Sequence, residues 1–384
     1  MMAVVNGETM TDSDTLRLLQ DAATSFASFD AKRVRSWRKN DPCFDRKLWT
    51  EMAEQGWFGI LADEEAGGMG LGLDAAAVVA RALGRAAAPE PFVAAGVVAP
   101  QLLAKCYSSP VRDAALQNII AGKTVATVAW QNPSGSPQAE DTDIAVQDQG
   151  SSALLSGEAR FVPVAAADAF IIASKYEEGI GLWWLPANAP GLTVQAEEQA
   201  DGSRTAWLRL SNVALDWDQR LTKPGSGASL LEEARDIGTV ANSAELMGLI
   251  ERSLEITLDY LKVRKQFGQA IGSFQVLQHR AVDLWMQKEV ANHATAAAIS
   301  AIDSSGISAA ARAISASSAK ARVSEVALKM ANETVQLHGA IGFTDEYDLG
   351  LYVNRILSTV PYLGNAGDHR KRYGVLKQKW GAAA

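Results

Sequence analysis

Residues 261–278 read LKVRKQFGQAIGSFQVLQ, and this stretch decides how the rest of the chain is interpreted. Before it, apolar residues recur at threes and fours from Leu246 to Leu261, which predicts a long amphipathic helix. That helix is predicted to begin at 229–232, where Ser and Glu three residues apart can form a capping box. Cations fill its last turn, Gly268 follows them, and a new helix is predicted to start at Ser273. The stretch therefore predicts two antiparallel helices joined by a charged elbow.

The spacing of apolar residues divides the chain into three parts. Helical spacing predominates up to about residue 122, and from Lys123 the period becomes strand-like. Beyond a Pro- and Gly-rich linker at 224–227 the pattern is helical again. The predicted fold class is α+β, with an N-terminal helical domain (1–122), a central antiparallel β-barrel or sandwich (123–223) and a C-terminal four-helix bundle (224–384). The predicted strands are 124–130, 143–147, 153–162, 169–174, 181–185, 192–196 and 205–210.

Composition excludes several classes of protein. A net charge of -8 argues against nucleic acid and against an anionic membrane as partners. The chain has no apolar run of about 18 residues that would predict a membrane span, and its first ten residues lack the features of a secretory signal. Two cysteines are too few for a disulfide framework, and the four histidines show no metal-ligand spacing. We therefore expect a cytoplasmic protein whose chemistry depends on an organic cofactor or on none, and not on a metal.

Three stretches together resemble the acyl-CoA dehydrogenase family. The elbow matches the family's Arg-x-Gln-Phe-Gly pattern, which is followed by Ile and then by Phe-Gln. A second match runs from Gln336 to Thr344, and a third runs from Leu48 to Gly72 with its Glu-Ala-Gly-Gly turn. Because the resemblance extends over nearly the whole chain, the combination is more specific than any one motif. The matched elbow residues are Arg264, Gln266, Phe267, Gly268, Ile271, Phe274 and Gln275.

The resemblance implies an FAD site that is shared between subunits. In the family, FAD lies between the β domain, the C-terminal bundle and a neighbouring subunit. This implies a homo-oligomer, either a dimer or a tetramer, or a heterotetramer with a related subunit. Arg264 matches the family's cation at the FAD pyrophosphate, where a guanidinium fork suits phosphate oxygens, and Gln266 and Phe267 match its neighbours. The alternative from the residues alone is that Arg264 complements a helix terminus.

The same resemblance assigns two further groups of residues to FAD. Phe161 is expected to cover the flavin where the family commonly has Trp, and a core aromatic on a strand is the alternative. Pro163 stands where the family often has a Thr that donates a hydroxyl, and proline has neither a hydroxyl nor an N–H. Ala340 stands where the family usually has a second glycine. The further cofactor-binding residues are therefore Trp130, Ser136, Phe161 and Val162 in the β domain, and Gln336, Gly339 and Ala340 in the bundle.

The family's reaction removes a proton beside a thioester and passes hydride from the next carbon to the flavin, which requires a carboxylate base. The two family positions for this base align here with Leu363 and Gly238, and neither residue can act as one. Glu245 lies seven residues after Gly238, which is about 700° around the helix and so within ~20° of the same face. Its helical neighbours are small or neutral, so we predict Glu245 as the catalytic base. A solvated or capping carboxylate is the alternative, and Asp236 and Asp368 are further candidates.

Three functions are consistent with these residues. The first is FAD-dependent α,β-dehydrogenation of an acyl-CoA thioester in lipid or fatty acid catabolism such as β-oxidation, with electrons passed to electron-transfer flavoprotein. The second is a non-catalytic subunit that completes the FAD site of a heteromeric acyl-CoA dehydrogenase. The third is an oxidase that uses the same flavin site with O₂. The sequence leaves the acyl group open, because chain length and branching depend on pocket volume.

Overall fold

A computed structural model describes residues 4–5, 8–9, 12–176, 179–223 and 225–381. By internal contacts the chain divides into two compact units. The first comprises Met1–Arg35, Gly72–Ala88 and Val240–Ala384, and the second comprises Ser36–Leu71 and Pro89–Thr239. The element order of helices, strands and helices confirms the predicted mixed α+β class.

Helices precede and follow the main sheet. A short hairpin of β1 (Val4–Val5) and β2 (Glu8–Thr9) comes first. The next helices are α1 (Asp12–Phe26), α2 (Ala31–Trp37), α3 (Arg46–Glu54), α4 (Leu73–Arg85), α5 (Ala99–Lys105) and α6 (Pro110–Ile120), with a π-helix at Phe92–Val98. The strands of the sheet are β3 (Ala126–Ala129), β4 (Ala145–Asp148), β5 (Ser152–Val162), β6 (Ala169–Tyr176), β7 (Gly179–Pro186), β8 (Leu192–Glu198) and β9 (Arg204–Asp216). The C-terminal elements are α7 (Gly227–Val263), β10 (Lys265–Gln266), β11 (Gln269–Ala270), α8 (Gln275–Asp303), α9 (Ala309–His338), α10 (Leu349–Thr359) and α11 (Ala366–Gly381).

The sheet belongs to the second unit, and each of its strands falls on a predicted β-rich run. Its order is β3-β6-β4-β5-β9-β8, with β7 paired to β6. Most pairs are antiparallel, as predicted, but β6 runs parallel to both β3 and β4. The chain between β3 and β6 is long enough for such a crossover, whereas a tight hairpin permits only antiparallel pairing. Inward-facing side chains of the sheet form one apolar cluster that includes Leu155, Phe170 and Trp183.

The elbow differs from its prediction. Helix α7 begins at Gly227, so Ser229 lies inside it and donates its hydroxyl to the carbonyl of Ser226 and does not cap the helix. The helix also ends at Val263, earlier than predicted, because β10 and β11 pair as a hairpin immediately after it. Both residues at the tip of the hairpin, Phe267 and Gly268, have positive φ (51° and 82°), as a two-residue type I′ turn requires. The charged elbow is therefore a rigid hairpin between α7 and α8.

Helices α4 and α7 approach each other unusually closely in the first unit. A Cβ added at Gly248 would lie 2.1 Å from the carbonyl oxygen of Arg81, and one added at Gly84 would lie 2.1 Å from the carbonyl oxygen of Glu245. Ion pairs from Arg81 to Glu251 and from Arg85 to Glu251 flank this contact. The two glycines therefore allow the helix backbones to touch, which side chains of any size would prevent.

No helix in the described ranges has both the length and the apolar character needed to cross a bilayer. Among the same residues, no group of three or more His, Cys, Asp or Glu side chains is arranged to hold a metal ion.

Candidate functional site

The elbow presents the first group of predicted cofactor residues, which lie at or beside the β10–β11 hairpin. Arg264, Gln266 and Phe267 are all exposed, and the Phe267 side chain is 92% exposed. The Phe267 ring packs edge-on against Phe274, with ring centroids 6.2 Å apart. Within the described part of the chain Arg264 makes no ion pair, so its exposed guanidinium is available to an anion.

The second predicted group in the first unit lies at the end of α9. Gln336 lines a cavity of about 470 Å³ between α9, residues 342–345 and α10. Gly339 has a φ of 67°, and a Cβ added to it would meet no atom within 4 Å. Neither Gly339 nor Ala340 is among the residues that line the cavity. Three amides and one carboxylate among the lining residues favour a neutral, planar, hydrogen-bonding group over a phosphate, since a carboxylate repels an anion. These four residues are Asn332, Gln336, Asn354 and Asp345.

His338 anchors the turn that follows α9. Its ring stacks on Tyr260 with centroids 4.4 Å apart, and its Nδ1 lies 2.7 Å from the carbonyl oxygen of Thr334. The Tyr260 hydroxyl donates to the carbonyl of His338. Burial lowers the pKa of His338 and so favours the neutral imidazole, whose contacts here are structural.

Phe161 in the second unit occupies a strained position at a β-bulge. The register of β5 against β9 shifts between Ala159 and Val162, and Phe161 has φ of 59°, which is rare for a residue other than glycine. Its ring is 40% exposed, whereas Val162 is buried at 1% exposure. Backbone strain and an exposed aromatic at a bulge are typical of ligand-contacting positions. Phe161 is therefore not a core aromatic, which was the alternative that the sequence left open.

The other two predicted residues of this unit have mainly structural contacts. Trp130 is buried at 3% exposure, and the guanidinium of Arg235 lies over its ring at 5.3 Å. Ser136 belongs to the turn after β3, where its amide donates to the side chain of Asn132 and its hydroxyl donates to Asp141. An added Cβ at Gly135 in the same turn would touch the Phe161 ring at 3.4 Å. The turn therefore borders the exposed aromatic.

Glu245 is held by an ion pair that its neighbours on the helix do not reveal. Its Oε1 accepts hydrogen bonds from Nη2 and Nε of Arg355 on α10, at 2.7 and 3.2 Å, and Glu245 is 8% exposed. The space beside Gly248, one of the small neighbours of Glu245, is filled by the backbone of α4. The ion pair with Arg355 and the close packing at Gly248 both favour a structural role for Glu245. The assignment itself stays a prediction.

Hydrogen bonds or burial also hold the remaining candidate carboxylates and Leu363. Asp368 accepts the amide of Asn365 at the start of α11, and Asp236 is fully buried. Leu363 is 5% exposed with φ of 61°, and the His369 Nε2 lies 3.0 Å from its carbonyl oxygen. His369 thus holds the backbone at Leu363, the residue that the resemblance aligns with the family's base.

A buried lysine lies beside Glu245, and sequence reasoning missed it because its polar partners come from another helix. Lys320 on α9 has no exposed surface and its amine donates to Oδ1 of Asn242. Burial lowers the pKa of Lys320 to about 7, and the nearby carboxylate of Glu245 partly offsets this shift. The lysine is therefore a group whose charge is costly in the folded state.

We expect this lysine to make stability depend on pH. The folded-state pKa of about 7 lies below the ordinary value of 10.5, so between these values the unfolded chain binds more protons and stability rises with pH. From pH 7 to pH 9 the free energy of unfolding should rise by about 2 kcal/mol from this group. Urea unfolding of Lys320→Met should lack that rise, whereas Lys329→Met, an exposed site on the same helix, should keep it. An unchanged pH profile in Lys320→Met would contradict the shift.

Comparisons with known proteins agree with the fold. Residues 13–123 match the model of the acyl-CoA dehydrogenase N-terminal domain, and residues 225–372 match that of the C-terminal domain. The acyl-CoA dehydrogenase FadE27 of Mycobacterium tuberculosis is 26% identical over 347 residues, which is 88% of this chain and 90% of that protein. The caffeyl-CoA reductase-Etf complex subunit CarC of Acetobacterium woodii is 27% identical over 79% of this chain and 82% of its own length. A solved structure described as a Tcur3481-Tcur3483 steroid ACAD superimposes with a TM-score of 0.86 at 28% identity, over 97% of this chain and 100% of that one. The chain belongs to the acyl-CoA dehydrogenase family.

Proposed function

We propose that this chain contributes an FAD site to an enzyme that dehydrogenates an acyl-CoA thioester between its α and β carbons. The observation that carries the proposal is Phe161, an exposed ring held at a strained bulge beside the turn of Gly135. Such a ring, in the position where the family places its flavin cover, suits one face of an isoalloxazine. Bound FAD would supply the hydride acceptor.

The residues of the chain fit FAD in three places. Phe161 offers an apolar face that excludes water, and Arg264 offers an exposed guanidinium for the pyrophosphate. The cavity beside Gln336 offers amides for the dinucleotide half. Two residues weaken the fit, since Pro163 provides no donor to the flavin and Ala340 adds a methyl group where the family usually has glycine. Because the elbow is exposed, we propose that it meets the cofactor of a neighbouring subunit in an oligomer.

A specific observation favours the second role, in which this chain completes a partner's flavin site without performing the proton abstraction. Arg355 neutralises Glu245, and the family's base positions hold Leu363 and Gly238. With no carboxylate at those positions, we propose that a related subunit supplies the base. The favoured assembly is accordingly a heterotetramer, and a homotetramer requires Glu245 to act as the base.

The relatives support the substrate class and the electron acceptor. CarC is named as a subunit of a complex with an electron-transfer flavoprotein, and we propose the same type of acceptor here. The steroid ACAD at 28% identity supports a thioester with a bulky acyl group as one candidate substrate. We place the reaction in cytoplasmic lipid catabolism, with β-oxidation as the reaction type.

The visible absorption spectrum of the purified chain tests this proposal. A flavin band in protein purified alone, bleached by an acyl-CoA without air, supports a self-sufficient dehydrogenase. Colourless protein that gains flavin only when produced with a related subunit supports the completing role. Peroxide formation on re-aeration would identify an oxidase, and absence of flavin in both preparations would overturn the proposal.

A further inference from the structure

We propose that Arg160 is a positioning residue that fixes the ring of Phe161 in its strained, exposed orientation. The inference rests on the proposed function only in taking FAD as the ligand that contacts the ring. The network that holds the ring lies wholly within the second unit.

The bulge brings two consecutive side chains to the same face of the sheet. In a regular strand Arg160 and Phe161 would point to opposite faces. Here Ala159 and Val162 are both buried, and the positive φ of Phe161 turns its ring outward beside Arg160. The guanidinium carbon of Arg160 consequently lies 5.1 Å from the centre of the Phe161 ring, a cation–π distance.

Arg160 is itself held on three sides. Its Nε and Nη2 donate to the carboxylate of Glu197 at 2.6–3.1 Å. Its guanidinium also lies 4.5 Å from the centre of the Trp207 ring, and its amide donates to the carbonyl of Gln131 at 2.9 Å. The guanidinium therefore has little freedom beside the Phe161 ring, and the backbone amide of Arg160 separately ties this strand to Gln131, which follows β3.

Trp207 is fixed by a second, independent set of contacts. Its Nε1 donates to Glu158 at 2.8 Å, and the guanidinium of Arg209 lies 4.1 Å from its ring centre. Arg209 is the cross-strand partner of Glu158 and also pairs with it. The result is a column of Phe161, Arg160, Trp207 and Arg209 built on neighbouring strands. Each arginine in the column has a carboxylate partner, so the column supports the ring and is not an anion-binding site.

The other edge of the Phe161 ring meets the turn at Gly135, where even an added Cβ would make contact. Arg160 and this turn therefore both border the ring. Lysine at position 160 would keep the positive charge but lose the planar group that stacks on both rings and forks onto Glu197.

The test compares Arg160→Lys, Phe161→Ala, the double variant and the control Arg220→Lys. Arg220 stacks on Tyr176 in the same unit, away from Phe161. Two readouts are used: hydrogen exchange of the backbone over residues 158–164, and the dissociation constant for FAD with the accompanying change in flavin spectrum, in the oligomer that binds FAD. We expect Arg160→Lys to speed exchange of this segment and to weaken FAD binding about fivefold, with little change in melting temperature. The double variant should bind FAD no more weakly than Phe161→Ala, because both changes remove the same contact.

Wild-type exchange and FAD affinity in Arg160→Lys would overturn the proposal. Additive losses in the double variant would also overturn it, since Arg160 would then act by a separate route. If no preparation binds FAD, the proposed function fails, and the hydrogen-exchange comparison still decides whether Arg160 orders the bulge.

Discussion

Replacing Gly248 by alanine is expected to lower the free energy of unfolding by about 3 kcal/mol or more, which is at the upper end for overpacking. The new Cβ would lie 2.1 Å from the carbonyl oxygen of Arg81 and 2.7 Å from the amide nitrogen of Arg85. Both are backbone atoms, so no rotation of a side chain relieves the clash and α4 must move away from α7. That movement would also separate Arg85 from Glu255, which form an ion pair with 2.8 Å between Nη2 of Arg85 and Oε1 of Glu255.

The matched control is Gly374→Ala on α11, where an added Cβ meets no atom within 4 Å. In that open helical position alanine should stabilise the protein by up to about 1 kcal/mol, because it has the higher helix propensity. Denaturant unfolding of the two variants should therefore shift in opposite directions. Wild-type stability in Gly248→Ala would show that the two helices do not touch.

Replacing Leu363 by glutamate is expected to raise the dehydrogenation rate per bound flavin by about 100-fold, the lower end of what a general base contributes. The resemblance implies that Leu363 stands at the position of the family's base, and Arg355 pairs with Glu245, the first of the acidic candidates. His369 already holds the backbone carbonyl at this position, so the backbone that carries the new carboxylate would be ordered. Rapid mixing with acyl-CoA, followed by flavin absorbance, measures the rate.

Leu363→Gln is the control for this variant, since glutamine has nearly the same size as glutamate and is also polar but cannot act as a base. Glu245→Gln is the companion variant, and we expect it to lower stability while leaving the rate per bound flavin nearly unchanged. A fall of about 100-fold in Glu245→Gln with FAD retained would instead establish Glu245 as the base. In that case Leu363→Glu should produce no gain.

The fold could be read from local patterns because each element is long and periodic. Every strand of the main sheet overlaps a predicted β-rich run, and α8 begins at Gln275, close to its predicted start at Ser273. The elbow could not be read in the same way. Residues 265–270 contain good helix formers, and only the pairing of β10 with β11 decides that they leave the helix.

The site was less accessible to sequence reasoning because its decisive contacts link distant residues. The partner of Glu245 is Arg355, 110 positions away, and the partner of Asn242 is Lys320, 78 positions away. Helical spacing around Glu245 shows only small neighbours, and it gives no sign that α4 fills the space beside Gly248. The bulge at Phe161 is equally hidden, because its outward turn depends on the register between β5 and β9.

The FAD content of the purified oligomer, compared between the wild-type chain and Arg264→Gln, tests the central claim most directly. The claim is that the exposed guanidinium of the elbow hairpin binds the pyrophosphate of FAD. We predict that the wild-type oligomer retains FAD and that Arg264→Gln loses most of it while the hairpin and the oligomer stay intact. Equal FAD affinity in the two proteins would contradict the account.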